Sequence, residues 1–195
     1  ASLTRGLIRL QALVARYGAP HLTSMAQALL DYSEKAMRAL VSDIPDGQYP
    51  FTDYLDDDGY GNNDLALSLS LTVTGEEATL DFRESADHTR GGVNTVPAVV
   101  EAACFYVFLS LLPDAYPINQ GCFRPLTVLT RPGSLLDACF PAPVAAGNVA
   151  TSQGLEDVIL GALDQAHPEI IPAASHSQRP RRRRCLSSGY SSARS

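Results

Sequence analysis

The stretch LALSLSLTVTGEEATLDFR, residues 65–83, decides the class of fold. Residues 65–73 alternate strictly, which places five apolar side chains on one face of a strand: Leu65, Leu67, Leu69, Leu71 and Val73. Residues 78–83 alternate in the same way, and the TGEE between them has the composition of a hairpin turn. Residues 48–55 predict a third strand at a sheet edge, because Pro50 has no N–H to donate. The pattern therefore predicts an antiparallel hairpin or meander.

Helical patterns lie on both sides of these strands. Residues 2–17 and about 21–41 repeat apolar residues at steps of three and four, and the short Gly-Ala-Pro joint predicts an antiparallel helical hairpin. The later elements predicted are a buried helix over 97–112, a short strand near 126–130 and a helix from about 152 to 166. Thr151 or Ser152 can cap this last helix. The predicted fold class is α+β: an N-terminal helical hairpin, an antiparallel β-hairpin or meander, then mixed helices and short strands.

Composition limits the classes of function. At 195 residues the chain predicts one domain with a substantial core. No apolar run approaches the roughly 20 residues of a membrane span and no secretory signal is present, so we expect a cytoplasmic protein without a membrane partner. The 4 cysteines have neither zinc spacing nor the pattern of a disulfide framework, and we expect no metal ligands.

The charge is divided along the chain. The net charge of −6 includes the arginine-rich residues 177–195, so the remainder is strongly acidic, which disfavours nucleic acid as a partner. Residues 177–195 are typical of a basic, disordered tail. The acidic stretch 53–64 does not fit a calcium-binding EF-hand loop, since Tyr54 and Leu65 would stand at ligand positions, and it indicates a solvated turn.

Three glycine-containing loops are the candidates for chemistry. RGGVN (90–94) and GNVATSQ (147–153) each precede a helix, where free N–H groups can bind an anion or a carbonyl oxygen, unless they serve only the backbone turn and the cap. In INQGCFRPL (118–126), Cys122 lacks a nearby histidine to activate it, which favours a packed thiol. Arg124 can clamp a carboxylate or phosphate, or pair with an internal acid.

Several blocks together resemble the hydantoinase B/oxoprolinase family, which includes N-methylhydantoinase B, the matching part of ATP-dependent 5-oxoprolinase, and related acetone and acetophenone carboxylase subunits. The resemblance runs from about residue 1 to 175, with blocks in the same order and at similar spacing. The blocks are LLDYSEKAMRAL, DYLDDDG, RGGVNTVPAVVEAACFYVFLSLLPD, YPINQGCFRPLTVL, PGSLL, GNVATSQ and IPAAS. The family fold is therefore expected over residues 1–176, as an internal segment of a hydantoinase B-like domain.

The chain also departs from the family pattern. Family members are much longer, and the portion expected to bind metal and substrate would precede Ala1, so we expect a truncated fragment. Ala150 stands where the family usually has an acid. After IPAAS the family continues with a Gly-Thr-Met-Asn-like motif, whereas residues 177–195 do not match, as a reading-frame shift would produce.

The resemblance implies ATP-dependent opening of a cyclic amide such as 5-oxoproline or a hydantoin, together with a hydantoinase A-like subunit or half. The resemblance places ATP and Mg²⁺ on that partner, and the absence of a phosphate-loop motif in this chain fits that division. The alternatives are an inactive folding or interaction module and a ketone carboxylase subunit; a homo-oligomer is compatible with each.

The family resemblance also selects candidate residues from the three loops. Those expected to hold the polar edge of the substrate or to order its site are Asn119, Arg124, Asn148, Thr151 and Ser152. Secondary candidates are Asn94, Gly121, Cys122 and Gly147. No catalytic residue is assigned.

Overall fold

A computed structural model describes residues 2–113 and 116–168. The helices are α1 (Ser2–Tyr17), α2 (Ala19–Ser42), α3 (Pro97–Ser110) and α4 (Ser152–Ala166). The strands are β1 (Gly47–Asp57), β2 (Asn63–Thr74), β3 (Glu77–Asp81) and β4 (Leu126–Leu129). A 3₁₀ turn covers Gln120–Phe123, and a π-helical turn covers Gly147–Thr151 immediately before α4. The predicted α+β class is confirmed; the IPAAS block and the tail 177–195 lie outside the described residues.

The four strands form one mixed sheet in the order β1-β2-β3-β4. The predicted hairpin is confirmed, with β2 antiparallel to β3 and Leu71 opposite Leu80. The third strand, β1, is confirmed at the edge, with Pro50 opposite Ser70 of β2. Strand β4 pairs in parallel with β3, because the connection between them passes through α3. This parallel pairing was not predicted from the sequence.

The core lies on the apolar face of this sheet. The five alternating residues of β2 are all buried, as their period-2 pattern predicts. Helix α4 packs on this face: Gly154 lies against Leu67, and Gly161 lies against the ring of Phe51. Because side chains at these two helical positions would overlap the strand residues, the glycines allow close approach of helix and sheet.

Helix α3 is buried on one side only. Val100, Cys104 and Phe108 are fully buried, whereas Tyr106 is 62% exposed. Burial raises the pKa of the Cys104 thiol, which favours its neutral form. The helix is confirmed, but its apolar surface is not covered all round as the sequence indicated.

Helix α1 departs from the expected hairpin packing. The two N-terminal helices and their short joint are present, with Gly18 at φ 78° between them. However, α1 has no buried residue, and Leu3 and Leu7 are 89% and 55% exposed. The apolar stripe of α1 is therefore not covered by α2 as a closed hairpin would require.

Of the acidic stretch 53–64, residues 53–57 belong to β1 and residues 63–64 to β2, and the residues between the two strands form a tight turn around Asp58. Its carboxylate accepts hydrogen bonds from the Tyr60 N–H at 2.8 Å and from the Asn62 side-chain amide at 2.6 Å. Asp58 is only 5% exposed, so the solvated turn that the sequence indicated is wrong at this residue. The hydrogen bond from Asn62, followed by the backbone N–H groups of Tyr60 and Asn62, lowers the pKa of Asp58 to about 2 despite burial.

Candidate functional site

The hydrogen bonds divide the nine candidate residues into two groups. The docked loop, residues 117–126, contains Asn119, Gly121, Cys122 and Arg124 and lies against α2. The π-turn junction, residues 89–95 together with 143–152, contains Asn94, Gly147, Asn148, Thr151 and Ser152. The docked-loop candidates are neighbours in sequence and the loop is held against α2, whereas the junction candidates are brought together from segments about 50 residues apart.

Asn119 ties the docked loop to α2. Its side-chain oxygen accepts the Gly121 N–H at 2.8 Å, and its amide donates to the Ser33 hydroxyl at 2.7 Å. The Ser33 hydroxyl in turn donates to the Pro117 carbonyl oxygen at 2.8 Å. Asn119 and Ser33 therefore form hydrogen bonds with residues both before and after Asn119, at Pro117 and Gly121. The side chain of Asn119 is thereby committed to hydrogen bonds within the chain.

Two further residues let the docked loop approach α2 and the core. Gly121 lies so close to α2 that a Cβ atom there would overlap the carbonyl oxygen of Leu30. Cys122 is fully buried, with its sulfur 3.9 Å from the Pro117 carbonyl oxygen, and it is not in a disulfide. The packed thiol favoured from the sequence is confirmed by this burial.

Arg124 pairs with acids of α2. Its Nη1 lies 2.9 Å from Asp31 and 2.7 Å from Glu34, and the hydrogen bonds lower the pKa of both carboxyl groups. The sequence left open whether Arg124 binds a carboxylate or phosphate ligand or pairs with an acid of the chain, and the structure shows the pairing with acids of the chain. Two carboxylates around one guanidinium leave no excess positive charge to attract an anion, and a substrate role for Arg124 stays a prediction.

Asn94 is the centre of the π-turn junction. It is fully buried; its side-chain oxygen accepts the Thr89 N–H at 2.7 Å, and its amide donates to the Thr89 and Gly91 carbonyl oxygens, each at 2.9 Å. The same amide reaches the Pro143 carbonyl oxygen at 2.8 Å, 49 residues later in the chain. The contacts assign Asn94 to holding two loops together.

The π-helical turn is pressed against these loops. A Cβ atom on Gly147 would overlap the carbonyl oxygen of Asn94. Thr151 is fully buried, and its hydroxyl donates to the carbonyl oxygen of Val93. The Ser152 hydroxyl donates to the Asn148 carbonyl oxygen at 3.0 Å. Because the chain is already helical at Gly147, the prediction that Thr151 or Ser152 caps α4 is wrong.

Asn148 differs from the other polar candidates. Its side chain is exposed, and no hydrogen bond to its carboxamide occurs within residues 2–113 and 116–168. A carboxamide carries both a donor and an acceptor, as does the edge of a cyclic amide. The junction thus presents one uncommitted amide on a turn whose backbone is fixed by Asn94, Gly147 and Thr151.

Sequence reasoning missed the residues that support these candidates. Ser33, Asp31 and Glu34 receive the docked loop, although all three stand in the LLDYSEKAMRAL block. Thr89 supports the junction by donating its backbone N–H to the Asn94 side-chain oxygen. Asp58 packs against the junction so closely that a Cβ atom on Gly91 would overlap its carbonyl oxygen. The available signal was a serine at an inward position of α2, four residues after Leu29, where an apolar residue is the usual choice.

The described ranges contain no cluster of ionisable side chains that could hold a metal ion. Burial, and then the neighbouring Asp157, raise the pKa of Glu156. Nowhere in residues 2–113 and 116–168 do three or more His, Cys, Asp or Glu side chains lie together in a way that could hold a metal ion. Over the same ranges, none of the helices combines the length and the apolar character that crossing a membrane requires.

Comparison with known proteins agrees with the blocks quoted above. The family model Hydantoinase B/oxoprolinase matches residues 1–181. The B-type subunit of a D-/L-hydantoinase from Pseudomonas sp. (strain NS671) is 28% identical over 86% of this chain and 30% of its own length. A 5-oxoprolinase of Dictyostelium discoideum is 30% identical over 81% of this chain and 13% of its own length.

Two solved structures share the fold. The ATP-dependent caprolactamase from Pseudomonas jessenii is 30% identical, with a TM-score of 0.77, and the match covers 85% of this chain and 29% of that chain. A nucleotide-free acetone carboxylase matches with a TM-score of 0.71 at 12% identity, over 82% of this chain and 23% of that chain, which shows the fold alone. This chain spans less than a third of these proteins. By the family match along almost its whole length, the chain belongs to the hydantoinase B/oxoprolinase family.

Proposed function

We propose that this chain forms part of the B-type component of an ATP-dependent hydrolase of cyclic amides, acting with an A-type component. The observation that carries the proposal is the likeness to the ATP-dependent caprolactamase, at 30% identity and a TM-score of 0.77 over 85% of the chain. Relatives named as a hydantoinase component and a 5-oxoprolinase support the same class of substrate. All three names describe rings that contain an amide.

The reaction opens the ring at the bond between the carbonyl carbon and the amide nitrogen. ATP held by the A-type component would supply the phosphoryl group that activates the amide oxygen, with ADP as the product, and water would then add to the activated carbon. The nitrogen leaves as an amine, and phosphate is released as the carboxylate forms. The activated oxygen and the leaving nitrogen both need polar groups held at fixed positions, since preorganised dipoles are effective where charge develops.

ATP and Mg²⁺ are assigned to the A-type component. Lys35, the one lysine of the chain, lies on the exposed side of α2 and not at a glycine-rich loop. The described residues therefore do not fit a phosphate-loop site for a nucleotide. We derive no step of ATP chemistry through this chain.

Substrate contact is assigned to Asn148. Its exposed carboxamide can pair with the carbonyl oxygen or the N–H of a cyclic amide. Asn94, Gly147 and Thr151 hold the turn that carries it, and the Ser152 hydroxyl closes the first turn of α4 onto the Asn148 carbonyl oxygen. These four are positioning residues in the proposal.

The docked loop is assigned a positioning role as well. The Asn119 amide donates to Ser33 of α2. The Arg124 guanidinium pairs with Asp31 and Glu34 of the same helix. They set the distance between α2 and the chain entering β4. A direct contact of either residue with substrate would require breaking these internal bonds.

Reconstitution tests the proposal. The chain is mixed with an A-type component, and ADP release and ring opening are followed with caprolactam, 5-oxoproline and a hydantoin. Ring opening that requires ATP and both proteins supports the proposal and identifies the ring. If a full-length B-type relative turns over with the same A-type component while this chain does not, the proposal fails for this chain.

A second candidate is an interaction module without catalysis of its own. The exposed apolar stripe of α1 favours it, because uncovered stripes of this kind are typical of binding surfaces. Binding to the A-type component without turnover, in the same assay, would support it. A ketone carboxylase role rests on a shared fold alone, and a cytoplasmic location stays a prediction.

A further inference from the structure

The two glycines of the RGGVN loop lie between the turn after β1 and the residues that lead into the π-helical turn. We define the Asp58 turn as residues 58–62. A Cβ atom on Gly91 would overlap the carbonyl oxygen and the Cβ atom of Asp58, so the Asp58 turn closes one side of the loop. On the other side, the Gly92 carbonyl oxygen accepts the Ala146 N–H at 2.8 Å. The loop is therefore held between two segments that are far apart in the sequence.

The Asp58 turn is fixed by its own hydrogen bonds. The Asp58 carboxylate accepts the backbone N–H of Tyr60 at 2.8 Å and of Asn62 at 3.1 Å, and the Asn62 side-chain amide donates to it at 2.6 Å. The Asp58 N–H donates to the Asn62 carbonyl oxygen at 3.1 Å. Since Asp57 of β1 is paired with Asn63 of β2, both ends of the turn continue into the sheet. The turn is thus a fixed support for the loop that packs on it.

The other side of the loop leads to Asn148. A Cβ atom on Gly147 would overlap the carbonyl oxygen of Asn94, so the π-helical turn begins in contact with the end of the same loop. The Ala146 carbonyl oxygen accepts the Ala150 N–H at 2.8 Å, and Asn148 stands within the turn that this bond closes. A displacement of the loop is therefore expected to displace the backbone that carries the Asn148 carboxamide.

We propose that Asp58 and Gly91 are positioning residues for Asn148. Because Gly91 has no side chain, the loop can rest directly on the Asp58 carbonyl group, and this contact sets where the π-helical turn stands. The inference rests on the proposed function in that Asn148 is taken to contact the substrate. Displacing a substrate-contacting group by about 1 Å can cost roughly 100-fold in rate, even when the change lies far from the reacting atoms.

The adjacent glycine provides a matched control. A Cβ atom on Gly92 would have its nearest neighbour, the Cβ atom of Ala145, at 3.8 Å, which is ordinary van der Waals contact. Neither Gly91 nor Gly92 has a positive φ, so the backbone accepts alanine at both positions. The variants Gly91→Ala and Gly92→Ala therefore differ in whether the added methyl group meets Asp58.

NMR of the nitrogen-15-labelled full chain tests the positioning without any measurement of activity. We expect Gly91→Ala to shift the backbone and side-chain amide signals of Asn148 roughly threefold further than Gly92→Ala does. Proximity alone predicts the reverse order, because it is Gly92 that bonds to Ala146. Asn62→Ala loosens the Asp58 turn without adding an atom, and we expect it to shift the same signals. This variant decides the test if Gly91→Ala does not fold.

Ring opening with an A-type component tests the consequence for activity. We expect Gly91→Ala to lower kcat/KM roughly tenfold or more, and Gly92→Ala to lower it less. In an Asn148→Ala background, Gly91→Ala should cause no further loss, since a residue that acts through Asn148 then has nothing left to position. A purely structural role for Gly91 would not produce this non-additivity.

Two results would overturn the inference. One is an Asn148 signal that Gly91→Ala shifts no further than Gly92→Ala, or that Asn62→Ala leaves in place when Gly91→Ala is unfolded. The other is a loss of activity that multiplies in the Gly91→Ala/Asn148→Ala double variant, since Gly91 would then act by another route. If the parent chain opens no ring with an A-type component, the proposed function fails, and the NMR comparison alone decides the positioning of Asn148.

Discussion

The side-chain amide of Asn119 donates to the hydroxyl of Ser33 over 2.7 Å, across 86 residues of sequence. This bond fixes the docked loop on α2. We expect Asn119→Ala to lower the free energy of unfolding by about 1–3 kcal/mol, because it removes the donor to the Ser33 hydroxyl and leaves the Gly121 N–H without its acceptor. Urea unfolding monitored by circular dichroism measures the change.

A double-mutant cycle separates this bond from general loop damage. Ser33→Ala and the double variant complete the cycle, and we expect a coupling energy of about 0.5–3 kcal/mol. Additive losses in the two single variants would mean that Asn119 and Ser33 do not stabilise one another.

Gly121 provides a steric test of the same docking. We expect Gly121→Ala to destabilise the chain by about 1–3 kcal/mol or more, since the added Cβ would push the loop from the Leu30 carbonyl oxygen. The control is Gly6→Ala on exposed α1, where nothing lies within 4 Å of the added atom. That change should stabilise the helix by about 0.5–1 kcal/mol. Equal thermal shifts in the two variants would contradict the close approach.

Arg124 should contribute little to stability despite its two partners. The side chains of Arg124 and Asp31 are 36% and 50% exposed, and ion pairs this open to solvent contribute little to stability. In Arg124→Ala we expect the pKa values of Asp31 and Glu34 to rise towards their ordinary values, since the guanidinium is the first cause of their lowering. Carbon-13 NMR titration of the carboxyl groups measures the pKa values of Asp31 and Glu34. Unchanged pKa values together with a large loss of ring opening would instead place Arg124 against the substrate.

The turn around Asp58 should make stability depend on pH in the acid range. A carboxyl group whose folded pKa lies below its unfolded value stabilises the fold above the unfolded pKa, and the stabilisation is lost as pH falls through the folded pKa. For Asp58 this window runs from about 4 down to about 2. We expect Asn62→Ala to raise the pKa of Asp58 and to move the loss to higher pH. Acid unfolding curves of the parent chain and of Asn62→Ala test this prediction. Identical curves would show that Asn62 does not stabilise the Asp58 carboxylate.

Asn148 and Thr151 should separate activity from stability. We expect Asn148→Ala to leave the free energy of unfolding within about 0.5 kcal/mol, as exposed positions do, but to lower ring opening with an A-type component roughly 10- to 100-fold. Thr151→Val should instead lower stability: we expect the free energy of unfolding to fall by about 1–3 kcal/mol, because the Val93 carbonyl oxygen loses its buried donor. If Asn148→Ala is as active as the parent, the junction is structural.

Predictions of secondary structure were confirmed where they depend on the pattern of residues close together in sequence. The alternation of β2, the edge position of β1 and the span of α4 all follow from neighbouring residues, because period and turn chemistry act within a few residues. The cap of α4 failed for a tertiary reason: the Thr151 hydroxyl bonds to Val93, 58 residues earlier, and the helix begins in a π-helical turn. A cap motif cannot report on a partner from another segment.

By itself the sequence determined the α+β class, the order of the helices and strands, and the blocks that place the chain in its family. Only the tertiary structure decided the parallel pairing of β4 and the internal partners of Arg124 and Asn119. It also decided that Asn148 is the exposed amide among the candidates. The physical reason is that periodicity encodes which side of an element is apolar, whereas the partner of a polar group depends on which distant segments packing brings within hydrogen-bond distance.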